Sequence, residues 1–291
     1  MKNKLIFQKK RGIQKCYLNY LDLLMPYNGL LTAHQYIIIS RILDIESFLG
    51  GGYFFWQRRI TLLDGLEKLS NMDLERLDER FYDLLTSLKE KGFDPSIDNI
   101  VISRHPVELL NGTHRLAWLA LFDKKIQIPC VSVEDYSIFP VDGFQWLKCI
   151  NLPEKEIFFI KERYDRLLAE NNYYLLAIAN INIYHKLKEE IKRYFMICDE
   201  KKDITISVDV KSKLIKTEWK NDSIYKIVEG RVSLFYLKLN NQLLIMENGR
   251  VKSAVISALI RRLDIIDGLK GEYWIAHTIS ESIRILDIIR P

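Results

Sequence analysis

From Asn71 to Gly92, Leu74, Leu77, Phe81, Leu84, Leu85 and Leu88 recur at helical spacing, while Asp, Glu, Arg and Lys fill the other face. A helix with one apolar stripe is stable only when that stripe is pressed against a core. This segment therefore commits the chain to helix packing. Gly92 is placed to close the helix, and Pro95 prevents its continuation. Far along the chain the period changes. Ile204, Ile206, Val208 and Val210 alternate, followed by Val232, Leu234, Tyr236 and Leu239, which predicts three to five antiparallel strands between Ile204 and Leu244. Two periodicities in separate regions predict an α+β chain with two units, residues 1–150 and 151–291. A length of 291 residues with 48% apolar and 28% charged residues allows two cores.

The first unit reads as mostly helical. Leu18 to Phe48 is apolar enough for two or three buried helices and ends at the breaker Gly50-Gly51-Gly52. Tyr53 to Trp56 then form an aromatic cluster beside Arg58 and Arg59. That cluster reads either as core packing capped by surface arginines, or as a stacking wall with phosphate contacts for a nucleotide. Strands are predicted at Ile97 to Ser103 and Pro106 to Leu110, and a helix from Thr113 to Asp123. A further strand at Ile126 to Val133 is expected at a sheet edge because of Pro129. The second unit is predicted to hold helices at Glu154 to Asn171 and His185 to Phe195, ahead of the alternating region. A helix at Val251 to Leu263, a strand at Tyr273 to His277 and a helix at Ile279 to Ile289 complete it.

Several classes are disfavoured. Met1 to Arg11 is basic but leads into no apolar run with a small-residue cleavage site, and no window has the length and apolarity of a membrane span. A cytoplasmic protein is expected. Cys16, Cys130, Cys149 and Cys198 lack metal or redox spacing and read as buried, reduced thiols. Lys plus Arg is 43 against 38 Asp plus Glu, a net charge of +5 that suits phosphate-bearing ligands and falls short of a dedicated DNA surface. The common NTPase, dinucleotide-binding, zincin and serine-hydrolase motifs are missing.

The richest stretch runs from Val107 to Ala117. Glu108, Leu109 and Leu110 read as strand, Asn111-Gly112 as a tight turn, and Thr113 as the start of a helix. Unpaired N–H groups and the helix dipole converge on such a turn, which suits a phosphate. Gly112 permits close approach, Thr113 offers a hydroxyl, and His114 and Arg115 offer two cationic donors, Arg115 in bidentate geometry. The same residues also serve as an ordinary helix cap with a turn glycine and a surface arginine.

Leu109 to Ala117, followed by Ile126 to Val133, resembles the core signature of the ParB/sulfiredoxin superfamily, in which a strand leads into a Gly-x-His-Arg turn. The resemblance covers Gly92 to Val133. It implies a small α/β nucleotide-binding module whose phosphates, from ATP, ADP or CTP, sit at Gly112, Thr113, His114 and Arg115. Sulfiredoxins carry a catalytic cysteine where this chain has Thr113, and partition proteins carry a helix-turn-helix that Glu154 to Phe195 does not match. Kinase-like members carry Asp where this chain has Asn111, which cannot take a proton at neutral pH. Glu108, His105 and His114 remain as candidate bases. The layout also resembles a group associated with bacterial surface-polysaccharide gene clusters, through Tyr53 to Trp56, Gly92 to Asp94, Asn111 to Arg115 and His277 to Glu281.

At the C-terminal end, Thr278 and Glu281 have capping-box spacing, so His277 is delivered beside a helix N-terminus. With Lys252 or Arg250 from the preceding helix it forms a possible second anion site, or simply a well-capped terminal helix. The leading expectation is an ATP- and magnesium-dependent phosphotransferase acting on a small hydroxyl or glycan-precursor acceptor. Its phosphates would lie at Asn111 to Arg115, with Arg58 and Arg59 nearby. The alternatives are a non-catalytic CTP- or ATP-responsive switch and a DNA-binding partition relative.

Overall fold

A computed structural model describes residues 14–26, 30–64, 70–94, 100–123, 128–133, 141–170, 174–207, 210, 212–214, 227, 230–238, 243–248 and 250–289. The basic run Met1 to Arg11, Pro95, Ile97, Ile126, Val208 and Leu239 lie outside the described residues. The class is α+β, as the two periodicities require.

The first sheet joins β1 (Gln14–Leu18), β2 (Ile100–Ser103), β3 (Leu109–Asn111) and β4 (Ile128–Val133) in the order β1-β4-β2-β3. β2 and β4 run parallel, and the other neighbours run antiparallel. β4 is therefore interior, which corrects the edge position expected from Pro129. Pro129 pairs only with Tyr17 of β1, and the register with β2 begins one residue later at Cys130. The proline precedes the stretch that is bonded on both sides, where its missing N–H would cost most.

Among the described residues the same part of the chain holds six helices: α1 (Tyr20–Leu24), α2 (Ala33–Leu49), α3 (Phe55–Asp64), α4 (Asn71–Lys91), α5 (Thr113–Phe122) and α6 (Gly143–Cys149). α2 is the hub. Gln35, Tyr36 and then Ile38 through Ile45 are all buried along it, as expected for a helix that is apolar around its whole circumference. α5, α3 and α6 all contact it, as does α7 (Glu154–Ala169). α4 has the predicted bounds. Ser70 and Asp73 form a reciprocal capping box at its start, and Gly92 ends it at φ 74°.

The second sheet contains β5 (Leu175–Asn180), β6 (Met196–Thr205), β7 (Arg231–Lys238) and β10 (Tyr273–Ile275) in the antiparallel order β10-β5-β7-β6, with α8 (Tyr184–Lys192) packed on it. The expected meander is corrected: Val210 is helical, and β8 (Leu244–Glu247) turns back onto β9 (Arg250–Ser253) as a separate hairpin. The helix expected from Val251 begins instead at Ala254, as α9 (Ala254–Asp264), because Ser253 caps it. Arg250 and Lys252 thus sit on a strand. α10 (Ile279–Ile289) closes the chain as expected.

Contacts cross residue 150 at several points. Arg163 of α7 grips Glu46 of α2 through Nε at 2.9 Å and Nη2 at 2.6 Å, and the Tyr164 hydroxyl donates to the Leu24 carbonyl at 3.0 Å. Asp22 of α1 accepts from the backbone N–H groups of Ile279 and Ser280, at 2.6 and 3.1 Å. Buried apolar side chains form one continuous cluster from Cys16 to Ile285. All four cysteines are free. Cys16 and Cys130 are buried opposite each other across β1 and β4, whereas Cys149 and Cys198 are exposed, contrary to expectation. No described helix is long and apolar enough to cross a membrane.

Candidate functional site

The strand–turn–helix at residues 109–122 forms as the sequence predicts. Gly112 lies at φ 100° in the left-handed region, and a Cβ there would come within 2.9 Å of Ile100 Cγ1 on β2. Both the backbone conformation and the sheet contact exclude a larger residue. Part of the expected anion site is already used, however. Asn111 Oδ1 accepts the Gly112 N–H at 2.8 Å, so one of the converging donors is spent within the turn.

His114 points from the first turn of α5 into a contact with α3 and α4. Its Nε2 lies 2.7 Å from Gln57 Oε1, and its ring packs on Phe81 with centroids 4.2 Å apart. Burial, followed by the charges of Arg41 and Arg115, pushes its pKa down to about 3. His114 is therefore neutral at physiological pH. The expected pair of cationic donors on this turn is corrected to one, Arg115, which lies outside the described wall of the adjoining cleft.

That cleft has a volume of about 590 Å³, within the usual range for small-molecule sites. α2 supplies Ile37 and Arg41, and α3 supplies Gln57, Ile60, Thr61 and Asp64. α4 supplies Leu77, Arg80, Phe81 and Leu84; His114 and Trp146 of α6 complete it. Arg41 is the unusual member. It is only 8% exposed. Its Nη1 faces Ser40 Oγ at 3.3 Å and Asp44 Oδ2 at 3.6 Å, yet its Nε is buried without a hydrogen-bond partner. Burial lowers its pKa only to about 10, opposed by Asp44, so it stays charged. A buried charged donor without an acceptor is costly, and a ligand oxygen would remove that cost.

Asp44 holds this arrangement together. It is fully buried and accepts from Trp56 N at 2.8 Å and Gln57 N at 2.7 Å, so it caps the N-terminus of α3 from the neighbouring helix. Its burial raises its pKa to about 6 against the opposing pull of Arg41 and the two backbone donors. The same carboxylate therefore positions Gln57, which in turn meets His114.

No protein-family model, curated protein or solved structure matches the chain.

The remaining predicted residues are dispersed. Glu108 is buried in a separate polar crevice with Asp22 and Gln35, where its carboxylate lies 3.6 Å from His34 Nδ1. It cannot act with His114. Arg58 pairs with Asp78 at 2.5 Å and Arg59 with Glu156 at 3.3 Å, so both guanidiniums already have carboxylate partners. Lys252 pairs with Glu247 at 2.6 Å. The His277 ring is held neutral by burial, with its pKa near 4, which removes the expected cation from the second anion site.

Thr278 Oγ1 does accept from Glu281 N at 3.0 Å, but Glu281 reaches one residue further back than a capping box requires, to His277 N at 2.6 Å. Asp22 adds to the cap of α10 by accepting from Ile279 N and Ser280 N. Burial of Glu281, reinforced by the charge of Asp22, raises its pKa from 4.5 to about 8. Folded Glu281 thus keeps its proton between about pH 4.5 and 8, where the unfolded chain has lost it. This group therefore makes stability fall as pH rises through the window and level off above it. Between about pH 6.5 and 8, above the range in which Asp22, Asp44, His114 and His277 titrate, thermal melts should show this decline and Glu281→Gln should flatten it. A melting temperature that rises between about pH 6.5 and 8, or a decline there that survives in Glu281→Gln, would contradict the assignment.

The sequence reading missed Arg41 and Asp44. The signal was present: two charges, three residues apart, lie inside the apolar run Ile37 to Ile45. Charged residues at buried helical positions are rare unless they are paired or functional.

Proposed function

We propose that the protein binds a nucleotide in the cleft between α2, α3, α4, α5 and α6, with a phosphate oxygen held by Arg41. The observation that carries this reading is the buried, unpartnered Nε of Arg41 on the cleft wall. The rest of the wall suits the remainder of such a ligand. Trp146 offers aromatic surface for a base, and Thr61 and Asp64 are polar groups one turn apart for sugar hydroxyls. The binding reading stands ahead of phosphotransfer because the groups expected to do chemistry are separated or occupied: Glu108 lies in another crevice, His114 is neutral and bonded to Gln57, and Asn111 Oδ1 is spent on Gly112.

Asp64 supports transfer as a second reading. It is the one carboxylate on the described wall, where it could accept a proton from an acceptor hydroxyl or contact a magnesium ion carried by the nucleotide phosphates. Calorimetric titration with ATP, ADP, AMP, CTP and CMP should detect saturable binding of at least one nucleotide. Absence of heat from all of them would overturn the proposal. Transfer would appear as nucleotide-dependent phosphate loss that Asp64→Asn abolishes while binding persists.

A further inference from the structure

The described cleft wall carries few charges. Arg41 stands at its buried end, Arg80 is exposed and unpaired among the described residues, Asp64 is an acid, and His114 is neutral. Asp44 behind Arg41 already offsets part of the buried guanidinium charge. The floor therefore offers one cation with one unspent N–H. The start of α5 does not add a backbone cradle, since of the turn residues 111–115 only His114 lines the described wall.

A phosphate monoester carries roughly −1.5 to −2 charges near neutral pH, and each further phosphoryl adds more. Triphosphate sites meet that charge with a cradle of several backbone N–H groups, a lysine and a metal ion. Charge brought out of water without such partners costs several kcal/mol per ion. Beyond the floor the wall is largely apolar, with Ile37, Ile60, Leu77, Leu84, Phe81 and Trp146. Such a surface suits an uncharged aromatic body and penalises a second or third phosphoryl group.

Resting on the nucleotide-binding reading, we infer that the ligand is a nucleoside monophosphate, with its single phosphate on Arg41 and its base against the apolar wall. This deepens the binding reading and counts against ATP as a phosphoryl donor in this cleft.

The test is a calorimetric comparison of the full chain with AMP, CMP, ATP, CTP, ribose 5-phosphate and adenosine, with and without magnesium. Either AMP or CMP should bind at least tenfold tighter than its triphosphate. Ribose 5-phosphate and adenosine should each be at least tenfold weaker than the better monophosphate, because each lacks one of the two anchors. A triphosphate that binds as tightly as its monophosphate overturns the inference while leaving the nucleotide site intact. Ribose 5-phosphate binding equal to the nucleotide overturns the role of the base. Failure of every nucleotide overturns the underlying site and the inference together.

Discussion

Arg41→Gln is expected to weaken nucleotide binding by tenfold to a hundredfold while leaving a folded protein. The lost interaction is a charge-assisted hydrogen bond in a desolvated site, about 1.5–3 kcal/mol, and each tenfold in affinity corresponds to about 1.4 kcal/mol. Glutamine removes the charge but keeps an amide N–H at the chain position of Nε. Arg41→Lys does the converse, because a lysine retains the charge but has no donor at that position. Its affinity should fall between those of the wild type and Arg41→Gln. Asp44 loses its cation in the glutamine variant. It can take up a proton at modest cost, since burial already holds its pKa near 6. Calorimetry gives the affinities, and circular dichroism with thermal melting shows that the fold persists. Wild-type affinity in Arg41→Gln would remove the phosphate from this cleft.

Asp44→Ala should be the most destabilising change at the site, at about 3–5 kcal/mol, the range for breaking a buried charge pair by removing one partner. Two further losses contribute. Trp56 N and Gln57 N would have no acceptor at the start of α3, and Arg41 would remain buried and charged with no carboxylate beside it. Asp44→Asn keeps a neutral acceptor for one of the two N–H groups and should cost distinctly less. Chemical denaturation gives both values. A second readout distinguishes positioning from bulk stability. Because Asp44 sets Gln57 and Gln57 meets His114, the imidazole NMR signals of His114 should shift in Asp44→Asn while the ring stays neutral, since burial and the charges of Arg41 and Arg115 still depress its pKa. Unchanged His114 signals, together with a loss in Asp44→Ala no larger than that of a surface substitution, would show that Asp44 does not organise the site.

These two residues lie where reading the sequence stopped short. The strand–turn–helix at Leu109 to Phe122 was legible because its instructions are local. Gly112 reaches φ 100° without a Cβ penalty, and the apolar pattern after Thr113 is helical. What the turn does was not legible. Whether His114 is a cation or a neutral ring against Phe81 depends on neighbours 57 and 33 residues away in the chain. The spread of the predicted catalytic set has the same origin. Glu108 and His114 are six residues apart, yet the reversal between β3 and α5 sends them into different crevices.

By itself, then, the sequence determined the α+β class, the bounds of α4 and α10, and the conformation of the turn at Gly112, because periodicity, capping residues and a missing Cβ act over a few residues. Only the tertiary structure decided that β4 is interior despite Pro129, that contacts crossing residue 150 join the two expected units, and that the buried charge on the cleft wall is Arg41. Burial is a property of the assembled fold. It makes His114 neutral, leaves Arg41 charged with a donor to spare, and turns Asp44 from one acid in an apolar run into the cap on which the cleft is built.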